Sequence, residues 1–146
     1  MRPAPTRRAG YPHFRRHTTR WADNDAYGHL NNVIHYALFD STVNELLISK
    51  GLLDPRQSDA IGLVVETGCR YFREMGYPSP ITAGLRVARI GTSSIRYELG
   101  LFADDEDEAA AEGFFVHVYV DAASRRPCPV PEATRTALTE LVWQAP

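Results

Sequence analysis

The stretch NNVIHYALFDSTVNELLISKG, residues 31–51, decides the fold. Its spacing predicts the longest helix of the chain, Asn32 to Lys50. Asn31 or Asn32 suits the cap, because an asparagine side-chain oxygen accepts from the orphan amides of a first turn. Gly51 suits the stop. In the first half, Val33, Ile34, Tyr36, Ala37, Leu38 and Phe39 leave almost no polar face. A helix that is apolar nearly all round is buried on more than one side. In a chain this short the natural cover is a sheet that wraps around it.

The residues on either side supply that sheet. Downstream, Ile61 to Phe72 is rich in β-branched and aromatic residues, and Ile81 to Ile90 alternates Leu85 and Val87 against Arg86. Ser94 to Phe102 sets Ile95, Tyr97, Leu99 and Leu101 on one face and Arg96 and Glu98 on the other, the period of a half-buried strand. Gly91-Thr92-Ser93 is short enough to join these last two as an antiparallel hairpin. Phe114 to Val120 is the final strand, with Phe114, Val116, Val118 and Val120 on one side and His117, of opposite parity, expected on an exposed face. Pro127, Pro129 and Pro131 impose an extended segment. Glu132 to Trp143 reads as a short closing helix with Pro131 at its start. The five consecutive acids Asp104 to Glu108 read as a solvated turn, since such blocks repel one another. Upstream, Phe14 to Trp21 is the first strand. Residues 1–12, with three arginines, three prolines and no periodicity, read as a mobile tail ahead of one domain spanning 13–146. The order strand, helix, then four strands is an α+β architecture, one long helix against an antiparallel sheet of about five strands.

Composition narrows the function. The chain has 146 residues, 44% hydrophobic and 23% charged, values of an ordinary globular domain. A net charge of −2 and a pI near 6.2 argue against a general nucleic-acid binder. No apolar run approaches the roughly 18–20 residues of a membrane helix, and the start has no apolar core of a secretory leader. Cys69 and Cys128 form no metal-binding pair, and two reduced thiols fit a cytoplasmic protein. No metal site and no cofactor are expected. Gly-rich phosphate loops, His-Glu metal motifs and serine elbows are absent from the sequence.

The chemistry concentrates in RWADNDAYGHLNNVIHY, residues 20–36. Two carboxylates, a glycine, a histidine and two asparagines precede the buried helix. A helix N-terminus presents unpaired amides and partial positive charge, which stabilise an anion or a developing oxyanion. Gly28 allows close backbone approach or positive φ. Such a loop beside an apolar groove suits a substrate with a carbonyl at its centre. Loops of this composition also serve simply to turn and cap.

RWADNDAYGHLNN resembles the signature of hot-dog-fold acyl-CoA thioesterases of the four-hydroxybenzoyl-CoA thioesterase type. The match runs through Trp21, Asp23, Asp25, Gly28, His29, Leu30, Asn31 and Asn32, and GLRVARIGTSSIRYELGLF resembles the family's third and fourth strands. The resemblance spans about Arg15 to Asp121 and implies the hot-dog fold. It implies Asp25 as the catalytic carboxylate, nucleophile or general base, and a backbone amide near Asn32, with Asn31 beside it, as oxyanion donor. His29, the third catalytic candidate with Asp25 and Asn32, falls where plant acyl-carrier-protein thioesterases of this fold also have a histidine, and the family's helix tyrosine falls on His35 beside Tyr36.

A thioester suits a single carboxylate, because its carbonyl is weakly resonance-stabilised and its thiol, of pKa near roughly 8.5, leaves readily. Gly28, Asn31, Glu66 and Arg89 are the candidate substrate contacts. Glu66 is placed to face a site across a dimer interface, although a lone strand glutamate often just faces solvent. Arg89, with Arg96, Arg125 and Arg126, is a candidate for the phosphates of coenzyme A, which enters only as part of the substrate. Asp23 is expected to hold the loop by hydrogen bonds. Phe39, Tyr71, Phe72 and Tyr97 either line an aromatic pocket or fill the core, and the core is favoured.

The implied activity is hydrolysis of an acyl-CoA or acyl-carrier-protein thioester by a homodimer or homotetramer whose site lies between subunits. The alternative is a non-catalytic acyl-CoA or acyl-carrier-protein binding module on the same fold. A hydratase is disfavoured, since no second strong acid-base candidate is present.

Overall fold

A computed structural model describes residues 3–143 of the chain. Strand β1 (His13–His17) leads to helix α1 (Asn32–Ser49), followed by β2 (Ala60–Tyr71), β3 (Ile81–Ile90), β4 (Ser94–Ala103), β5 (Ala111–Asp121) and helix α2 (Glu132–Thr139). The five strands form one antiparallel sheet in the order β1-β3-β4-β5-β2, with α1 against one face. This is the hot-dog architecture.

Local chemistry explains the helix ends. The Asn31 side chain accepts from the Val33 N–H, and Gly51 takes a φ of +71° just past the end. The buried positions of α1 are His35, Phe39, Thr42, Val43, Leu46 and Leu47, a single stripe at helical spacing. The expected burial on several sides is therefore corrected within one chain: Val33 and Ile48 are 65% and 50% exposed.

The inner face of the sheet completes the core. Ile95, Tyr97, Leu99 and Leu101 are fully buried, as their alternation predicts. Phe39 of α1 lies over Gly113 of the sheet, where an added Cβ would lie 2.3 Å from Phe39 Cε2. Only glycine fits there.

Four expectations are corrected. Residues 6–11 are docked rather than mobile: the Thr6 N–H donates to Glu112, the Arg8 N–H to the Asp107 carbonyl, and Tyr11 is buried against the outer face of the sheet. Strand β1 stops at His17, and Trp21–Asp23 forms a 3-10 turn instead. The closing helix stops at Thr139, after which Val142 pairs with Val87. In β5 the inward residues include Phe115, His117 and Tyr119, so His117 is buried, not exposed. Both faces of β5 carry apolar residues, so parity alone is mute. The register to β4 decides, pairing His117 with Ile95 and Phe115 with Tyr97.

Candidate active site

The loop between β1 and α1 is built by its two aspartates. Asp23 is buried. Its carboxylate accepts from the Arg20 N–H at 2.8 Å and from the Arg20 guanidinium at 3.0 and 3.2 Å, and its carbonyl accepts from the Asn31 N–H. It holds the loop, as expected. Asp25 is half-buried. Its Oδ1 accepts from the Tyr27 N–H at 2.8 Å and the His29 N–H at 3.3 Å, an aspartate closing the turn that follows it. That turn needs Gly28, whose φ is +85°. The Asp25 Oδ2 has no hydrogen-bond partner among the described residues.

The start of α1 lies next to this turn. Val33 N–H is taken by the Asn31 side chain and Ile34 N–H by the Asn31 carbonyl. The Asn32 N–H is left without a partner among the described residues, on an exposed residue at the positive end of an 18-residue helix.

A second loop, residues 72–80, is clamped to the first. Leu30 N–H donates to the Met75 carbonyl at 2.7 Å, and Tyr77 N–H donates to Asn24 Oδ1 at 3.0 Å. The clamp brings Glu74 Oε1 to 3.2 Å from His29 Nε2. Two cavities flank this pair. One, of about 330 Å³, is walled by Gly28, Gly76, Tyr77, Ser79 and Pro80. The other, of about 290 Å³, is walled by Leu30, His35, Tyr71, Phe72 and Met75. His29, Glu74 and Met75 border both. Behind the second cavity His35 is buried, its Nδ1 3.3 Å from the Asn31 carbonyl and its ring edge-to-face with Tyr71 at 4.8 Å. Burial depresses the His35 pKa, a pull opposed by its contacts with the Asn31 and Asn32 backbone.

The sequence candidates separate on this frame. Gly28 and His29 reach the cavities, while Asp25, Asn31 and Asn32 form the adjoining loop and helix start outside their walls. Glu66 is not brought to them. It pairs with Val116, on the face of the sheet away from α1, because paired residues of an antiparallel ladder share a face. Arg89 is exposed eight residues along β3 from the cavity residue Ile81, about 26 Å at roughly 3.3 Å per residue. Arg96 stacks on Phe114 at 4.0 Å and bonds Glu98 on the outer face. Phe39 and Tyr97 fill the core as expected, but Tyr71 and Phe72 line the cavity. The larger outer-face cavity, about 580 Å³, has its Arg86, Arg96 and Glu98 paired with one another. Glu74 was not picked out by the sequence. Its only signal is a carboxylate in a short connection between two strands, which spacing alone does not relate to His29.

The model of the thioesterase-like superfamily matches residues 19–138. The chain belongs to that superfamily. The matched span contains the whole loop, α1 and every strand after it, and membership makes a thioester the substrate class and thioester hydrolysis the activity class. Curated proteins provide no match. Among solved structures the chain is similar to the PA5185 protein from Pseudomonas aeruginosa, at 49% identity over 99% of this chain and 100% of that one, with a TM-score of 0.94. It is also similar to the PA2801 protein from Pseudomonas aeruginosa, at 26% identity over 87% and 98% of the two chains, with a TM-score of 0.81. A likeness of fold alone links it to a 1,4-dihydroxy-2-naphthoyl-CoA thioesterase from Synechocystis, at 15% identity over 88% and 96%, with a TM-score of 0.79. Among the described residues no helix is long and apolar enough to cross a membrane.

Proposed function

We propose that this superfamily member is an acyl-CoA thioesterase in which Asp25 attacks the thioester carbonyl or activates water against it, while the Asn32 N–H, with Asn31 beside it, holds the oxyanion. The observation that carries this reading is the pairing of a half-engaged carboxylate with an unpaired helix-start amide. Asp25 is fixed through Oδ1, which leaves Oδ2 for the reaction. The Asn32 N–H is held by the helix cap in a direction set before substrate arrives, so little reorganisation is needed. A thioester asks no more than this: its thiol leaves with a pKa near roughly 8.5.

The site is completed by a second copy of the chain. β2 is an edge strand with Leu63, Val64 and Val65 exposed, and α1 leaves Val33 and Ile48 in solvent. An open, apolar edge strand is normally covered. A partner laid along β2 would wall in Asp25 and Asn32, which the single chain leaves outside its cavities.

The test is a panel of acyl-CoAs assayed for released thiol. Wild type hydrolyses at least one member, and Asp25→Asn lowers kcat by about 10²-fold or more while substrate binding persists, the scale of a lost catalytic group. Equal rates for the two proteins would remove Asp25 from the chemistry. Binding without release by wild type would leave a binding module.

A further inference from the structure

Two aromatic side chains of the Asp25 loop stand almost fully in solvent, Trp21 at 80% and Tyr27 at 83% exposed. Trp21 is nevertheless held. It opens the 3-10 turn, and the loop that carries it is sewn to residues 72–80 on either side of it. The Thr19 hydroxyl donates to the Ser79 carbonyl at 3.0 Å, and the Tyr77 N–H donates to Asn24 Oδ1 at 3.0 Å. Between these two bonds the Trp21 and Tyr77 rings meet edge to face, centroids 6.2 Å apart and planes at 84°. Two rings at a right angle make a corner against which a further flat ring can stack. The corner is continuous with the site. Tyr77 also walls the cavity of about 330 Å³ that Gly28 and His29 border, and the His29 N–H is a donor to Asp25. The two loops touch at Gly76, where an added Cβ would lie 3.1 Å from Asn24 Oδ1 and 3.3 Å from the Gly28 carbonyl. That volume is near the lower end of the roughly 300–1,000 Å³ of pockets that bury a drug-sized ligand. It has room for a thiol-bearing arm and not for a nucleotide as well. What stands beyond its Tyr77 wall is Trp21.

We propose that the Trp21–Tyr77 corner stacks the adenine ring of coenzyme A, with Arg20 facing its phosphates, so that the substrate is a free coenzyme A thioester rather than one tethered to a carrier protein. This rests on the thioesterase reading above and deepens it by naming the carrier of the acyl group. A base offers a flat π-face to an exposed indole. An arm tethered to a protein brings no base to that place. Arg20 supplies the charge. Asp23 takes its Nε and Nη2 and so fixes the guanidinium, yet 76% of the side chain stays exposed and Nη1 has no partner among the described residues. A guanidinium held in this way presents a preset donor to a phosphate oxygen. A second copy laid along β2 lies at the other edge of the sheet. Trp21 follows β1, whose His17 pairs with Ile81 of β3, and β1 stands four strands from β2, about 19 Å at roughly 4.8 Å per strand.

The experiment compares one acyl group on coenzyme A and on pantetheine, which ends before the phosphates and the base. Wild type prefers the coenzyme A thioester in kcat/KM by about tenfold or more. Trp21→Leu narrows that preference about tenfold, the scale of one lost base–aromatic stack, and does so through KM rather than kcat. Trp21→Tyr keeps most of it, and Tyr77→Leu narrows it in the same direction. Coenzyme A itself quenches tryptophan emission in wild type and not in Trp21→Leu, where Trp143 is the tryptophan that remains. No preference in wild type, equal losses on the two thioesters, or an absence of quenching would overturn the proposal. A smaller assembly of Trp21→Leu in sedimentation would overturn it by making the corner a subunit contact, and faster wild-type cleavage of the same acyl group on an acyl carrier protein would do so by reversing the choice of carrier. Quenching by coenzyme A in a chain that cleaves no thioester would sink the hydrolysis reading and keep the corner. Neither quenching nor cleavage would sink both.

Discussion

The two ends of the loop before α1 use the same residue type to opposite ends. At the Arg20–Asp23 end the carboxylate is buried, and both of its oxygens are committed to Arg20. At the Asp25–His29 end the carboxylate is half-buried and only one oxygen is committed. A satisfied carboxylate is structural because its whole capacity is spent on the fold. A half-satisfied one keeps an oxygen in reserve. Two residues of separation thus divide the anchoring carboxylate from the one proposed to react, and the 3-10 turn at Trp21–Asp23 lies between β1 and that second carboxylate.

The contrast is broken most sharply at Asp25. The loss of about 10²-fold in kcat on Asp25→Asn amounts to about 2.7 kcal/mol of barrier, and urea unfolding should show the fold within about 1 kcal/mol of wild type. The opposite split is expected at Asp23. Asp23→Ala removes the acceptor for three donors of Arg20, and urea denaturation should register a loss of about 1–3 kcal/mol, with the kcat of the folded fraction changed only severalfold. If Asp23→Ala instead abolished turnover in a fully stable protein, the division of labour proposed for the loop would be wrong. A smaller effect sharpens the comparison from the helix side. Asn31→Ala deletes the cap on Val33, and thermal or urea unfolding should show a loss of about 1 kcal/mol.

The smallest effect separates the loop from the buried and half-buried histidines of β1, α1 and β5. Burial depresses the pKa values of His13, His17, His35 and His117. Each is lower folded than unfolded, so as pH falls the unfolded chain takes up protons first. Their stabilising contribution is full above the unfolded value near roughly 6.5 and declines as pH drops through it. Among the described residues neither ring nitrogen of His117 has a hydrogen-bond partner, so His117→Phe should unfold with a smaller loss between pH 7.5 and pH 5 than wild type. An identical pH dependence in the two proteins would remove His117 from that decline.

Much of the fold was legible because the relevant forces are local or periodic. The helix bounds follow from Asn31 and Gly51, the β3–β4 hairpin from a short connection, and the buried face of β4 from alternation. The docked segment 6–11 was not legible, because no periodicity announces Tyr11 packing on Gly84 and Gly100, which follow it by 73 and 89 residues, a contact seen only in three dimensions.

By itself the sequence determined which residues are chemically able to act: Asp25, His29 and the helix-start amides sit within one loop, and chain connectivity alone keeps them together. Only the tertiary structure decided which of them meet and what stands opposite. It buried His117, turned Glu66 to the far face, put Arg89 at the distant end of β3 and brought Glu74 to His29. Register and loop clamping are long-range hydrogen-bond choices, and a one-residue change in pairing reverses every side chain of a strand. Local propensity carries no record of that choice.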